Sequence, residues 1–294
     1  MLLFSVFIIS LLAIAWFTVY SPSYDSFAGE ADPVSNRRVA TVSMMKDPKN
    51  IEEWLKHHRD MGIVRFYIRL EETPELDAFL QAQPDVVVMK GSSTGKNEYS
   101  EIQVRQKKMV DAALAQGLQS GDVDWLIHID ADELLHGSLD EIYEMPASAR
   151  TFWMQNEEAV YENIPGKKDS CFDASEFRNC DSQGVHCVSY VNGKGGGRVT
   201  EDVSLGGPHR FDTSKPGNQQ IKLEKLVVRH FESCDYESYR KKFMHLAKND
   251  DTEKIPFSYY NESIEAARTG DENALQCVYT KHRTVKGDLS DSCL

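Results

Sequence analysis

The chain has 294 residues, 41% of them hydrophobic, which is enough apolar material for one large domain or two small ones. Its formal net charge is -13 and its isoelectric point about 5.2, with no block of Lys or Arg to offset the acid, so a general polyanion-binding role such as DNA or RNA recognition is excluded. A bound phosphate therefore needs local help, from a metal ion or a few placed cations.

Residues 2 to 20, LLFSVFIISLLAIAWFTVY, carry no charge over nineteen positions. A helix rising about 1.5 Å per residue needs roughly twenty to cross a ~30 Å hydrocarbon core, so residues 1–21 are expected to form a transmembrane signal anchor. A cleaved signal peptide competes with this reading, although no Lys or Arg precedes the run and no A-x-A pattern follows it. Residues 22–37, rich in Ser, Pro, Gly and Asp, read as a stalk. Arg37 and Arg38 lie after the span, which alone favours a cytoplasmic domain. Six cysteines, Cys171, Cys180, Cys187, Cys234, Cys277 and Cys293, contain no C-x-x-C pair that suggests zinc, and suit either disulfides in an oxidising lumen or ordinary buried thiols. Asn261-Glu262-Ser263 is an N-glycosylation acceptor triplet. Together these predict a single-pass type II membrane protein with its domain in the Golgi or endoplasmic reticulum lumen.

From Arg38 onward strands and helices alternate. Val39 to Met44 is a short apolar run, and Ile51, Trp54, Leu55, His58 and Met61 then mark one helical face closed by Gly62. Ile63 to Leu70 predicts a second strand, Pro74 to Leu80 a short helix, and Val86 to Met89 a third strand. Ile102, Met109, Val110, Ala113, Leu114 and Leu118 give a long amphipathic helix ending near Gly121, and Trp125 to Ile129 is the fourth strand. Such alternation predicts an α/β fold, a Rossmann-like and mostly parallel sheet flanked by helices, whose ligands bind outside the carboxyl ends of the strands.

That is where WLIHIDADELLHG, residues 125–137, places three carboxylates, Asp130, Asp132 and Glu133. Buried bare they repel one another, so a cation is the natural neutraliser, and hard oxygen ligands suit Mg²⁺ or Mn²⁺. In an extended segment Asp130 and Asp132, at i and i+2, share one side. A solvated acidic loop capping a following helix is the competing reading. An EF-hand is excluded, because Leu134 and Leu135 occupy positions that need Asp or Asn and then Gly. Val191 to Arg198, VNGKGGGR, reads as a glycine-rich loop whose backbone can approach phosphate, with Lys194 and Arg198 as charges, or as a plain flexible turn.

Asn50 to His58 (NIEEWLKHH), with Met61-Gly62-Ile63 and Phe66-Tyr67-Ile68 after it, resembles the opening of glycosyltransferase family 2 and family 92 enzymes. Trp125 to Leu134 is similar to their D-x-D-E segment, and Val227 to Phe231 followed by Tyr236 to Lys242 resembles their late H-Y, serine, aromatic and lysine pattern, with Phe231 in place of the tyrosine. The likeness covers residues 38 to about 248. It implies a GT-A fold over residues 38–294, with a nucleotide-sugar-binding half (38–135) and an acceptor half (136–294). It further implies a nucleotide-sugar donor, UDP-sugar foremost, a divalent metal (Mn²⁺ or Mg²⁺), and transfer to a hydroxyl of a glycan or glycoprotein. On that footing Asp132 is the first metal ligand, Asp130 serves the donor ribose or the metal's waters, and Glu133 supports the ion. One late histidine joins them, His209 ahead of His230. An inverting reaction needs a general base, for which Glu201, Asp202 and Asp212 are the candidates, since Thr200-Glu201-Asp202 is similar to the x-E-D element of such enzymes. A metal-dependent phosphohydrolase and a non-catalytic lumenal sugar-binding module remain as alternatives.

Overall fold

The computed structural model describes residues 37–92, 99–164, 166, 170–180, 187–188, 190–216, 220–248 and 257–285. The first half follows the alternation read from the sequence. β1 (Val39–Met45), β2 (Arg65–Glu71), β3 (Val86–Gly91) and β4 (Trp125–His128) are all parallel, in the order β3-β2-β1-β4. They are joined by helix α1 (Ile51–Asp60), a 3-10 turn at Pro74–Leu76 running into α2 (Asp77–Gln81), and α3 (Tyr99–Ser120). The two faces of this sheet bury different apolar sets: Trp54, Leu55, Phe66, Ile68, Trp125 and Ile127 on the α1 side, and Ala40, Val42, Tyr67, Met109, Val110 and Leu126 on the α3 side. Strands covered on both faces read as near-continuous apolar runs, which is why they were legible.

Beyond β4 the sheet continues with strands from the second half. These are β5 (Glu133–His136), β6 (Thr151–Val160), β7 (Glu176–Asn179), β8 (Lys194–Arg198) and β11 (Ile221–His230), while β9 (Val203–Gly207) and β10 (Arg210–Thr213) form a separate hairpin. A short helix α4 (Asp140–Tyr143) follows β5. The full order is β3-β2-β1-β4-β8-β6-β11-β5, with β7 on β6; β8 is antiparallel to β4 and β6, β11 is parallel to β6 and antiparallel to β5. Registers on β11 pair His230 with Glu133 of β5 on one side and with Glu158 of β6 on the other. One polar row thus crosses three adjacent strands.

The chain closes with α5 (Tyr236–Leu246), α6 (Ser258–Thr269) and α7 (Glu272–Arg283), packed through Tyr239, Phe243, Tyr259, Ile264, Leu275 and Tyr279. Asp235 caps α5 by accepting from the Ser238 amide at 2.7 Å, and Asp271 caps α7 by accepting from Asn273 at 2.9 Å. Asn261 is exposed on α6, whereas Ser263 of the same acceptor triplet is buried and bonded to the Tyr239 hydroxyl.

Among the described residues no helix is long and apolar enough to cross a membrane. The longest, α3, has 22 residues but carries Glu101, Arg105, Lys107, Lys108 and Asp111 along its length. The expected placement as a single-pass type II membrane protein of the Golgi or endoplasmic reticulum is corrected accordingly. The apolar run at residues 2–20 that prompted it, and all of the stalk but Arg37, lie outside the described residues. The cysteine expectation fares better: Cys171 pairs with Cys234 and Cys180 with Cys187, both at disulfide distance.

Candidate active site

The acidic loop sits at the carboxyl end of β4, beside the ends of β1 and β2, where the left-handed backbone of Asp47 (φ 47°) and Glu72 (φ 51°) marks the same edge. Helix α1 holds the strand that leaves the loop. Trp54 Nε1 donates to the Glu133 carbonyl at 2.8 Å, His57 Nε2 donates to the Leu135 carbonyl at 2.7 Å, and the Leu135 amide donates to His58 Nε2 at 3.2 Å. His58 Nδ1 in turn donates to the Trp54 carbonyl at 2.8 Å. With one ring nitrogen donating and the other accepting, His58 is neutral, and burial holds its pKa down at about 3.

Asp130 to Glu133 is a β-turn, closed by the Glu133 amide on the Asp130 carbonyl at 3.2 Å, so the two aspartates diverge. Asp130 turns toward Lys194, whose Nζ lies 2.5 Å away, and toward Gln106 at 3.4 Å. Lys194 is fully buried and also lies 3.2 Å from Glu133, which is fully buried as well. Glu133 accepts from the Asp130 amide at 2.7 Å and from the Tyr190 hydroxyl. Burial pushes the Asp130 carboxyl up, but the Lys194 ammonium outweighs it and holds the group well below the usual carboxylate range. For Glu133 burial wins, raising it to about 7 against the pull of Lys194.

Asp132 faces the other way. Its carboxylate lies 3.6 Å from His230 Nε2, its carbonyl accepts from the Phe231 amide at 2.8 Å, and its side chain is 43% exposed. Asp132, His230 and Glu232 bring one ligand atom each to within 4.8 Å of one another. Glu232 is fixed by Lys242 Nζ at 2.9 and 3.0 Å, by the Ser233 hydroxyl at 2.6 Å and by the Tyr260 hydroxyl at 3.2 Å, and Ser233 takes a left-handed backbone (φ 55°) to make this possible. Burial raises Glu232, yet Lys242 overrides it and keeps the carboxyl at about 2. Burial lowers His230, but Glu158 and Asp132 together raise it well above the ordinary imidazole value. Two carboxylates and one imidazole with an open edge at Asp132 form a donor set that fits a divalent ion such as Mn²⁺ or Mg²⁺.

Of the residues expected from sequence, the fold therefore gathers Asp130, Asp132, Glu133, Lys194 and His230. His209 is half-buried against Tyr190, with ring centroids 4.4 Å apart, and donates from Nδ1 to the Gly193 carbonyl at 2.9 Å; the histidine beside Asp132 is His230. The presumed glycine-rich loop is strand β8. Its glycines make room for aromatic rings: a Cβ on Gly196 would stand 2.3 Å from Phe152, and one on Gly197 2.6 Å from Phe211. Arg198 is buried beneath Trp125, 4.4 Å from the ring centroid, and donates to the Ala149 carbonyl at 2.9 Å. Glu201 and Asp202 follow β8 where it pairs with the amino end of β4, about 13 Å of strand away from the loop at ~3.3 Å per residue. Asp202 there accepts from Thr213 at 2.7 Å, and Asp212 lies in the hairpin paired with Arg210 at 2.8 Å. The site's unanticipated members are Glu232, Glu158 and Tyr190, while Lys242, the lysine of the late pattern, is the cation on Glu232. A readable signal existed for one of them, the H-x-E spacing of His230 and Glu232.

No family model matches the chain. Two Arabidopsis thaliana proteins, both named glycosyltransferase-like, are 20% identical to it, matching 60% of this chain and 49% and 43% of their own lengths. The chain thus spans less than half of either relative. Among solved structures it is similar to HddC from Yersinia pseudotuberculosis, at 10% identity and a TM-score of 0.32 over 69% of this chain and 96% of that one. It is also similar to a CTP:phosphocholine cytidylyltransferase from Streptococcus pneumoniae, at 12% identity and a TM-score of 0.31 over 71% and 99%. The sequence similarity supports a relation to glycosyltransferases at the level of the class and no finer.

Proposed function

We propose that the chain is a metal-dependent glycosyltransferase of the GT-A type, moving a sugar from a nucleotide-sugar donor to an acceptor hydroxyl. The observation that carries this reading is the Asp132, His230 and Glu232 cluster, placed at the carboxyl end of a parallel strand where α/β folds bind ligands. These three residues hold Mn²⁺ or Mg²⁺, which when bound stabilises the charge developing on a departing nucleoside diphosphate. Asp130, kept anionic by Lys194, accepts hydrogen bonds from donor hydroxyls. Positive charge for the donor comes from the end of β2 and the start of α3. Arg69 and Arg105 share Glu71 at 2.8 and 3.0 Å, and Nη1 of the buried Arg105 has no hydrogen-bond partner among the described residues. Lys194 acts on the donor only through Asp130, because its ammonium is wholly enclosed.

A thermal-shift screen of the full chain with UDP, GDP and CMP, each with and without Mn²⁺, tests the proposal. One nucleoside diphosphate that stabilises only together with Mn²⁺ is the expected result. Release of phosphate from simple esters without any acceptor would favour a phosphohydrolase instead, and sugar binding with no nucleotide effect would favour a binding module.

A further inference from the structure

The metal cluster is backed by a second layer of charge that the proposed chemistry does not itself use. Glu158 on β6 is fully buried and has both oxygens engaged: Oε1 accepts from His230 Nδ1 at 2.8 Å, and Oε2 accepts from Arg283 Nη1 at 3.0 Å. Arg283 is fully buried too, and it arrives from the last turn of α7, 125 residues further along the chain. That turn is fastened to the end of β6 by backbone bonds, from the Tyr161 amide to the Arg283 carbonyl at 2.9 Å and from the Val285 amide to the Tyr161 carbonyl at 2.7 Å. A buried ion pair is weak evidence for stability, since apolar residues of similar volume commonly serve as well or better. Its presence here calls for another account.

We infer that Glu158 and Arg283 are positioning residues for the metal centre: Glu158 fixes the imidazole of His230 so that Nε2 faces Asp132, and Arg283 holds Glu158 in place. This rests on the metal-dependent reading above. A carboxylate only accepts, so Nδ1 must be the donor, and Nε2 is the nitrogen that can give up its proton and turn its lone pair to an ion. Without Glu158 the ring loses the bond that fixes its orientation and directs Nδ1 away from the ion. Carboxylate partners of this kind set ligand tautomer and basicity in metal sites, and their loss typically weakens metal affinity about 10- to 100-fold. The register of β6 against β11 places Glu158 opposite His230, and α7 supplies the counter-charge, so the carboxyl-terminal helix becomes part of the metal site without touching it.

The test is Mn²⁺ affinity by electron paramagnetic resonance titration, at one fixed pH, on the full chain as wild type, Glu158→Gln, His230→Ala and the double variant. Glu158→Gln should bind Mn²⁺ roughly 10- to 100-fold more weakly, and the double variant should bind no more weakly than His230→Ala alone. Losses that multiply in the double variant, or wild-type affinity in Glu158→Gln, overturn the inference. Should Glu158→Gln fail to fold because it strands the Arg283 charge, Glu158→Gln/Arg283→Met removes both charges. That variant should fold and still bind at least about tenfold more weakly, and wild-type affinity in it overturns the inference. Wild-type protein that binds no divalent ion overturns the metal reading together with the inference. A metal-binding wild type with an unaffected Glu158→Gln overturns the inference alone.

Discussion

Asp132→Ala should separate chemistry from folding. Asp132 is 43% exposed and, among the described residues, its side chain pairs with His230 at 3.6 Å, while His230 keeps its shorter bond to Glu158 at 2.8 Å. An ion pair that open is worth at most about 1 kcal/mol, which for a domain of this size is a melting shift of roughly 2–4 °C. The catalytic cost is of another order. One well-placed charge interaction contributes about 3–4 kcal/mol to a transition state, and at ~1.4 kcal/mol per tenfold that is a loss of about two to three orders of magnitude in transfer. The stabilisation wild type gains from saturating Mn²⁺ and nucleotide, about 2.7 kcal/mol at a hundred times the dissociation constant, should vanish as well. The assay pairs donor turnover with thermal melts taken with and without ligands, and Asp132→Asn should behave alike because the amide keeps the shape and loses the charge. Outright unfolding would show that Asp132 is structural. Full activity with excess chelator present would end the metal-dependent reading.

Three further outcomes follow from the same contacts. His58 is held at about 3 while the unfolded chain titrates near 6.5, so the unfolded state takes up a proton first as the pH drops below that value. Stability should fall by up to about 1.4 kcal/mol per pH unit through that window, and His58→Gln should flatten the slope in urea melts run at a series of pH values. Lys194→Met leaves Asp130 and Glu133 facing each other without their cation and should cost about 3–5 kcal/mol in urea denaturation. If the variant instead keeps its stability and loses nucleotide affinity, Lys194 is a phosphate ligand after all. Opening Cys171–Cys234 by a double Ser substitution frees a span of 63 residues, worth about 4 kcal/mol in the chain-entropy model, and should weaken Mn²⁺ binding because Cys234 lies two residues past Glu232. Unchanged affinity after verified loss of the bond would refute the coupling.

The parallel half of the sheet was readable because its signals are local. Ile51, Trp54, Leu55 and His58 repeat at helical spacing, and all four are buried in α1. The histidine pair of that helix was visible as a motif but silent as to role, since its partners are the main-chain groups of Leu135, and a backbone acceptor leaves no mark in the residue it belongs to. Strand β8 misled for a related reason. Glycine serves a phosphate loop and a crowded strand equally well, and what decides between them is Phe152 and Phe211, whose rings arrive from other strands.

The acidic motif itself shows where spacing stops being informative. The rule that i and i+2 share a side holds for an extended chain, and Asp130 to Glu133 is a turn, so its two aspartates serve different partners. Lys194 neutralises the first, leaving the second to find positive charge elsewhere. It finds His230, 98 residues away, because an antiparallel register sets that histidine opposite Glu133 and carries Glu232 just past the strand end. Had β11 slipped by one residue, Arg229 would stand there instead, and the set of two carboxylates and an imidazole would be gone. The candidate metal centre is thus a property of strand pairing. The groups behind it, the clamp from α1 on β5 and the Glu158–Arg283 pair that holds the His230 ring, therefore belong to the candidate site along with Asp132, His230 and Glu232.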